Sequence, residues 1–92
     1  MTASKLQRAW MHHSSDLASP VRVISRGPKR AHVRLVQQLR WNRKWYLAGS
    51  TRYVPEDCLG AAPGACFLVA VGHSTFVPAD NPRAKRAIER WK

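Results

Sequence analysis

The stretch that most constrains the fold is residues 40–59, RWNRKWYLAGSTRYVPEDCL, which holds two tryptophans, two tyrosines and four basic residues in twenty positions. A turn at residues 42–44 between two aromatic runs predicts a β-hairpin, because the asparagine there visits the left-handed region at little cost. Residues 49–51 then allow a corner before a second strand, and Pro55 leads into a short helical turn. This stretch predicts a small β domain with a cationic, aromatic surface.

Alternating apolar and polar residues predict further strands around this block. Residues 21–25 and 31–41 both alternate, and the turn between them contains Gly27 and Pro28. Within the longer segment, Gln37 interrupts the apolar row and indicates a bulge. The apolar run 65–71 predicts a buried strand, and residues 73–77 predict another short one.

Short helices are predicted at both ends of the chain. Ser4 and Gln7 fit a capping box, so residues 4–13 are predicted to be helical, with residues 14–20 as a connector. Asp80 or Asn81 caps a second helix, and Pro82 takes its first position. We expect this basic helix to pack on the strands; the alternative is that it folds only against a partner.

The fold class is therefore mainly β, a small SH3-like barrel with short N-terminal and C-terminal α-helices (α+β). We predict a single domain, 1–92, with an N-terminal helix and connector at 1–20, a β-barrel core at 21–77 and a basic helix at 80–92. No run approaches the roughly 18 apolar residues of a membrane-spanning helix, and no secretory signal is evident, which predicts a cytoplasmic protein without membrane contact. The two cysteines are expected to be free thiols.

The charge is strong and unevenly distributed. Sixteen Lys and Arg oppose five Asp and Glu, a net charge of +11. Residues 1–52 hold eleven basic side chains and one acid, whereas residues 53–82 hold three acids and no basic side chain. Such an excess predicts a polyanionic partner, above all DNA or RNA, because Lys and Arg gain affinity by releasing counterions.

Residues 45–50 (WYLAGS) and 53–59 (YVPEDCL) resemble the C-terminal half of an SH3 domain. In that family a Trp-Trp-x-Ala strand leads to a corner, then Tyr-hydrophobic-Pro, a 3₁₀ turn and a closing apolar residue. The resemblance implies the barrel, and it implies a peptide groove at Trp45 and Pro55, where Cys58 stands in place of the groove's tyrosine. The same small barrel also occurs in bacterial and viral nucleic-acid binders, which suit the charge better.

The nucleic-acid hypothesis assigns phosphate contact to basic side chains and base stacking to aromatic rings of the central block. Trp41 and Tyr46 are further stacking candidates, with Trp41 expected to be buried. We predict weak sequence preference. The predicted binding residues are Arg30, Arg34, Arg40, Arg43, Lys44, Trp45, Arg52 and Tyr53.

No catalytic constellation is present, because the acids are scattered and neither the serines nor the histidines have an activating spacing. We therefore predict no enzyme activity, no small-molecule substrate and no cofactor. Zinc would require His12, His13, Cys58 and Cys66 to be assembled by the fold, since no C-x2-C or H-x3-H spacing exists, and no metal site is predicted.

A second hypothesis is a protein-interaction module. The nearly charge-balanced stretch 53–82 would then dock on a protein partner, for example as a phage or plasmid accessory protein that regulates a larger nucleoprotein complex.

Overall fold

The computed structural model describes residues 7–41, 43–72 and 75–91, with the side chains of Leu39 and Trp41 outside the description. The chain forms a mainly antiparallel β domain with one C-terminal helix, which confirms the predicted class at that level. The elements are β1 (Gln7–His12), β2 (Leu17–Arg26), β3 (Arg30–Leu35), β4 (Leu39–Trp41), β5 (Lys44–Tyr46), β6 (Thr51–Pro55), a 3₁₀ helix (Glu56–Cys58), β7 (Leu59–Gly60), β8 (Leu68–Val71), β9 (Thr75–Pro78) and α1 (Pro82–Arg90).

The ten-residue strand β2 is the centre of the main sheet, whose order is β6-β3-β2-β1-β7. One edge of β2 pairs with β1 along most of its length. The other edge pairs antiparallel with β3 from residue 21 onward and parallel with β8 at residues 17–18, and β9 extends the sheet beyond β8. Strands β4 and β5 form a separate two-stranded hairpin.

The sheet buries apolar side chains on both of its faces, because successive residues of a strand point to opposite sides. On one face, Ala9, Val21 and Leu35 belong to a cluster that we call the first core. On the other face, Trp10 and Ala18 join residues of β8, β9 and α1 in the second core. The central strands are therefore packed from two sides at one end of the sheet.

Helix α1 closes the second core. The Asn81 side chain accepts a hydrogen bond from the backbone N of Arg83 at 2.8 Å, and Pro82 occupies the first turn, as the sequence predicts. Ala84 is fully buried, and Ile88 and Trp91 pack against the same cluster. The helix thus packs on the strands of its own chain, as expected.

The predicted N-terminal helix is wrong. Residues 7–12 form strand β1, and Leu17 to Pro20, predicted as a connector, begin β2; residues 1–6 lie outside the described part. Ala9, Trp10 and Met11 are all buried because they alternate between the two cores. A strand buried on both faces loses its apolar–polar alternation, so the sequence pattern resembles a helical stripe.

Two predicted strands are shorter than expected. Segment 31–41 breaks after Leu35 and resumes at β4, and the bulge lies in β2 between Val23 and Ser25 rather than at Gln37. The run 65–71 becomes a strand only from Leu68, with Phe67 exposed. The expectations for the Trp41 side chain and for Asn42 lie outside the described residues. Within the described ranges, no helix is long and apolar enough to span a membrane.

Replacing Leu35 by alanine should lower the free energy of unfolding by about 2–5 kcal/mol, because this fully buried side chain leaves a cavity in the first core. The matched control is Leu47→Ala, whose side chain is 63% exposed and should change stability by less than about 0.5 kcal/mol. Urea unfolding of the three proteins gives both values. Equal losses in the two variants would contradict the assignment of the first core.

Candidate functional site

Three arginines lie directly opposite one another on adjacent strands of the main sheet. Arg8 of β1 is the register partner of Arg22 of β2, which is in turn the partner of Arg34 of β3. Directly opposed residues of an antiparallel pair project from the same side, with their Cβ atoms about 4.5–5.5 Å apart. These residues, which we call the arginine row, therefore line up across three strands.

The arginine row projects away from the first core. The neighbouring register triplet, Ala9, Val21 and Leu35, is buried in that core, so alternation directs the arginines to the opposite side of the sheet. The second core and α1 cover the part of this side that carries Trp10 and Ala18. Of the three arginines, Arg8 and Arg34 are exposed to solvent, whereas Arg22 is half-buried at the border of that cover.

Next to the arginine row, two rings stack across strands. His32 of β3 pairs with Tyr53 of β6, and their ring centroids are 4.4 Å apart with planes inclined by 9°. Tyr53 is 66% exposed, so it offers a ring surface to solvent. Arg30 follows at the alternate position of β3. We call this surface the open face and define it as Arg8, Arg22, Arg30, His32, Arg34 and Tyr53.

Trp91 borders the open face at the end of α1. The guanidinium carbons of Arg8 and Arg22 each lie 5.1 Å from the centre of its ring, within the range of cation–π attraction. The indole N–H donates to the carbonyl oxygen of Ala9 at 2.8 Å, and Arg8 donates to the carbonyl oxygen of Arg90 at 3.3 Å. These contacts fix two arginines of the row in place.

The β4–β5 hairpin carries a second cationic and aromatic group. Arg40 and Trp45 are register partners, with the guanidinium 5.9 Å from the ring centre, and Trp45 is 55% exposed as expected. Arg43 adopts a left-handed backbone conformation at φ 65°, and Lys44 beside it is exposed. Tyr46 packs against the first core, so the hairpin is anchored on the side of the sheet opposite the arginine row.

The eight predicted residues therefore fall into two groups. Arg30, Arg34 and Tyr53 lie on the open face. Arg52 points to the other side of β6, where its guanidinium lies 4.6 Å from the ring centre of Tyr46. Arg52 thus joins the hairpin residues Arg40, Arg43, Lys44 and Trp45.

Sequence reasoning missed Arg8, Arg22, His32 and Trp91 as members or neighbours of the site. The sequence pattern predicts a helix at Arg8, and nothing local shows that this residue faces Arg22 across a strand pair. The available signal was the alternation of Arg30, His32 and Arg34 in β3, which puts all three on one side.

The described histidines and cysteines make separate pairwise contacts. His12 Nδ1 lies 3.3 Å from Cys66 Sγ, whereas His13 Nε2 shares a 2.6 Å hydrogen bond with Ser19 Oγ. Among the described residues, no group of three or more His, Cys, Asp or Glu side chains is placed to hold a metal ion. Burial raises the pKa of the Cys66 thiol, with the nearby charge of Asp16 adding to the effect, so the thiolate is disfavoured.

The Ser19–His13 hydrogen bond has a structural role. Ser19 is fully buried beneath the β1–β2 turn, so a substrate has no access to its hydroxyl. Burial lowers the pKa of His13 to about 4, and the positive charges of Arg52 and His12 add to the effect. A neutral imidazole can satisfy the buried hydroxyl without carrying a charge into the protein.

Stability should fall as the pH is lowered from 6.5 towards about 4, because an unfolded chain protonates His13 in this window and the folded chain does not. His13→Gln, which keeps a nitrogen near Nε2, should reduce that pH dependence relative to wild type. Urea unfolding at pH 7 and pH 5 measures the difference. Identical pH dependence in both proteins, or titration of the His13 ring near 6.5 by NMR, would contradict the pKa assignment.

Comparison of the chain with protein-family models, curated proteins and solved structures finds no match, so the function must be argued from the residues themselves.

Proposed function

We propose that this protein is a non-enzymatic nucleic-acid binder whose open face contacts a DNA or RNA strand with little sequence specificity. The observation that carries the proposal is the arginine row: three arginines that are register partners on β1, β2 and β3. Arginine is well suited to this role because its planar fork donates two parallel hydrogen bonds to one phosphate group.

The energetics of the row favour an anionic partner. Like charges placed directly opposite each other destabilise a sheet, so the free protein carries an electrostatic cost along β1, β2 and β3. A phosphate backbone lying across the strands offsets that repulsion and releases its own condensed counterions. Glu56, which follows the register partner of Arg30, is paired with Arg26 at 3.0 Å.

The stacked pair His32–Tyr53 favours a single strand over a duplex. Its rings are parallel and Tyr53 is exposed, which provides a surface for an unpaired base beside the arginines. Base stacking on an aromatic side chain contributes about 1–3 kcal/mol and does not depend strongly on base identity. Phosphate contacts and sequence-tolerant stacking together account for weak sequence preference.

We further propose that the strands form an SH3-like barrel, in line with the resemblance of residues 45–59. The β4–β5 hairpin then supplies a second contact through Arg40, Arg43, Lys44 and Trp45. Tyr46 anchors the hairpin on the first-core side. This second contact therefore meets the nucleic acid where it passes the edge of the sheet.

Arg34→Ala should weaken binding of single-stranded DNA or RNA about threefold to tenfold, because it removes one phosphate contact without touching a core. It should also reduce the salt dependence: about five contacts predict a log–log slope of about −4, and the variant should lose about one unit. Fluorescence anisotropy at two or more salt concentrations measures both. The control Lys85→Ala removes one exposed positive charge from α1, outside the open face, and should leave the slope unchanged.

Parallel measurement of Arg43→Ala tests the hairpin separately. A wild-type affinity that does not change with salt concentration would contradict nucleic-acid binding altogether. A loss in Arg43→Ala with none in Arg34→Ala would move the main contact from the open face to the hairpin.

Tyr53→Ala should lower affinity for a single strand about fivefold to a hundredfold, whereas Tyr53→Phe should keep most of it, because only the ring is needed for stacking. The matched control is Phe67→Ala, which removes an aromatic ring that is 69% exposed in the nearly charge-balanced stretch. Equal effects of Tyr53→Ala and Phe67→Ala would contradict a specific stacking role for Tyr53.

The alternative function is docking on a protein through residues 53–82. Its supporting observation is Phe67, an apolar side chain that is 69% exposed just before β8. A protein partner that stays bound after nuclease treatment, and is released by Phe67→Ser but not by Arg34→Ala, would favour this function over nucleic-acid binding.

A further inference from the structure

Helix α1 and the sheet form a cleft that is lined by none of the open-face residues and that adjoins the open face at Trp91. It has a volume of about 400 Å³, within the range of about 300–1,000 Å³ that small-ligand sites occupy. Its walls come from α1, from the start of β2, from the link between β3 and β4, and from the end of β8. We call it the helix cleft; it is lined by Pro20, Val36, Gln37, Val71, Gly72, Arg83, Arg86, Ala87, Arg90 and Trp91.

One rim of the helix cleft is cationic. Arg83, Arg86 and Arg90 stand at positions i, i+3 and i+7 of α1 and therefore share one side of the helix. Along the axis they are separated by about 4.5 Å and about 6 Å. Among the described residues that line the cleft none is acidic, although Glu89 lies on the same helix. The rim is suited to one phosphate group held by more than one guanidinium.

The remainder of the cleft is largely apolar. Pro20, Val71 and Ala87 line it together with the ring of Trp91, whose position is fixed by its hydrogen bond to Ala9. The Gln37 amide lies against the backbone of Gly72; when it is oriented with its nitrogen towards Gly72 O and its oxygen towards Gly72 N, it donates to the first at 3.2 Å and accepts from the second at 3.3 Å. Trp91 and Gln37 thus supply two parts of the cleft wall.

From this combination we propose that the helix cleft binds a nucleoside monophosphate, with the phosphate on the arginine rim and the organic part against the apolar wall. The same chemistry has two sources: a free nucleotide, or the phosphorylated end of a nucleic-acid strand. The first source is independent of the function proposed above. The second rests on it, because the strand would continue from the open face past Trp91 into the cleft.

Calorimetric titration of the full chain with AMP, adenosine and inorganic phosphate tests the site. We expect AMP to bind at least about tenfold more tightly than either of the other two. Arg86→Ala should weaken AMP binding by about tenfold or more, since it removes a charged hydrogen bond. The matched control Lys85→Ala, a charge loss on the opposite side of α1, should change it less than about twofold.

Two results would overturn the proposal: AMP binding no tighter than inorganic phosphate, or equal losses in Arg86→Ala and Lys85→Ala. Oligonucleotides with and without a 5′-phosphate identify the source. If the 5′-phosphate raises the affinity for the oligonucleotide and Arg86→Ala removes that increase, the cleft binds strand ends. If the two oligonucleotides bind with equal affinity, the cleft binds free nucleotides. Arg34→Ala should leave AMP binding unchanged, so failure of the open face and failure of the cleft can be told apart.

Discussion

The register between β1, β2 and β3 is the constraint on which the rest of the structure depends. It aligns Ala9, Val21 and Leu35 in the first core and, one position away, Arg8, Arg22 and Arg34 on the other side. Because the side-chain period of a strand is two, a slip of one residue would bury three arginines and expose the first core. The register that forms the first core is therefore also the register that presents the arginine row.

Both cores stabilise this register, each on a different side of the central strands. The first core covers one side of the central strands, while α1, β8 and β9 cover part of the other through Trp10 and Ala18. Trp91 connects the covered part to the open part, since it packs on the second core and contacts Arg8 and Arg22. With two cores holding the register, the sheet tolerates the repulsion among the three arginines better than a sheet with one core would.

Local signals in the sequence were sufficient for some elements and insufficient for others. Asn81 and Pro82 mark the start of α1 because capping depends on neighbouring residues alone. The short helical turn after Pro55 is also marked by a local signal, the proline, although no side chain caps it. The helix predicted for residues 4–13 is wrong in part because the burial of Trp10 depends on α1, more than seventy residues away in the chain. The pairing of His32 with Tyr53 is likewise set by long-range register.

The candidate site shows the same division. The basic and aromatic character of residues 30–53 was evident from composition, and Arg30, Arg34 and Tyr53 do lie on one side of the sheet. That Arg52 turns away from Tyr53 follows from the alternation of a strand, whereas which arginines face one another depends on strand pairing that no local pattern specifies. The sequence therefore leads to a hypothesis about the kind of partner, whereas the surface proposed to meet that partner follows only from the strand pairing.

The most direct measurement is an NMR titration of the labelled protein with a single-stranded oligonucleotide, following backbone amide and arginine side-chain signals. The account predicts that the largest shifts cluster on Arg8, Arg22, His32, Arg34 and Tyr53. Shifts confined to residues 60–72, with the arginine row unmoved, would contradict it.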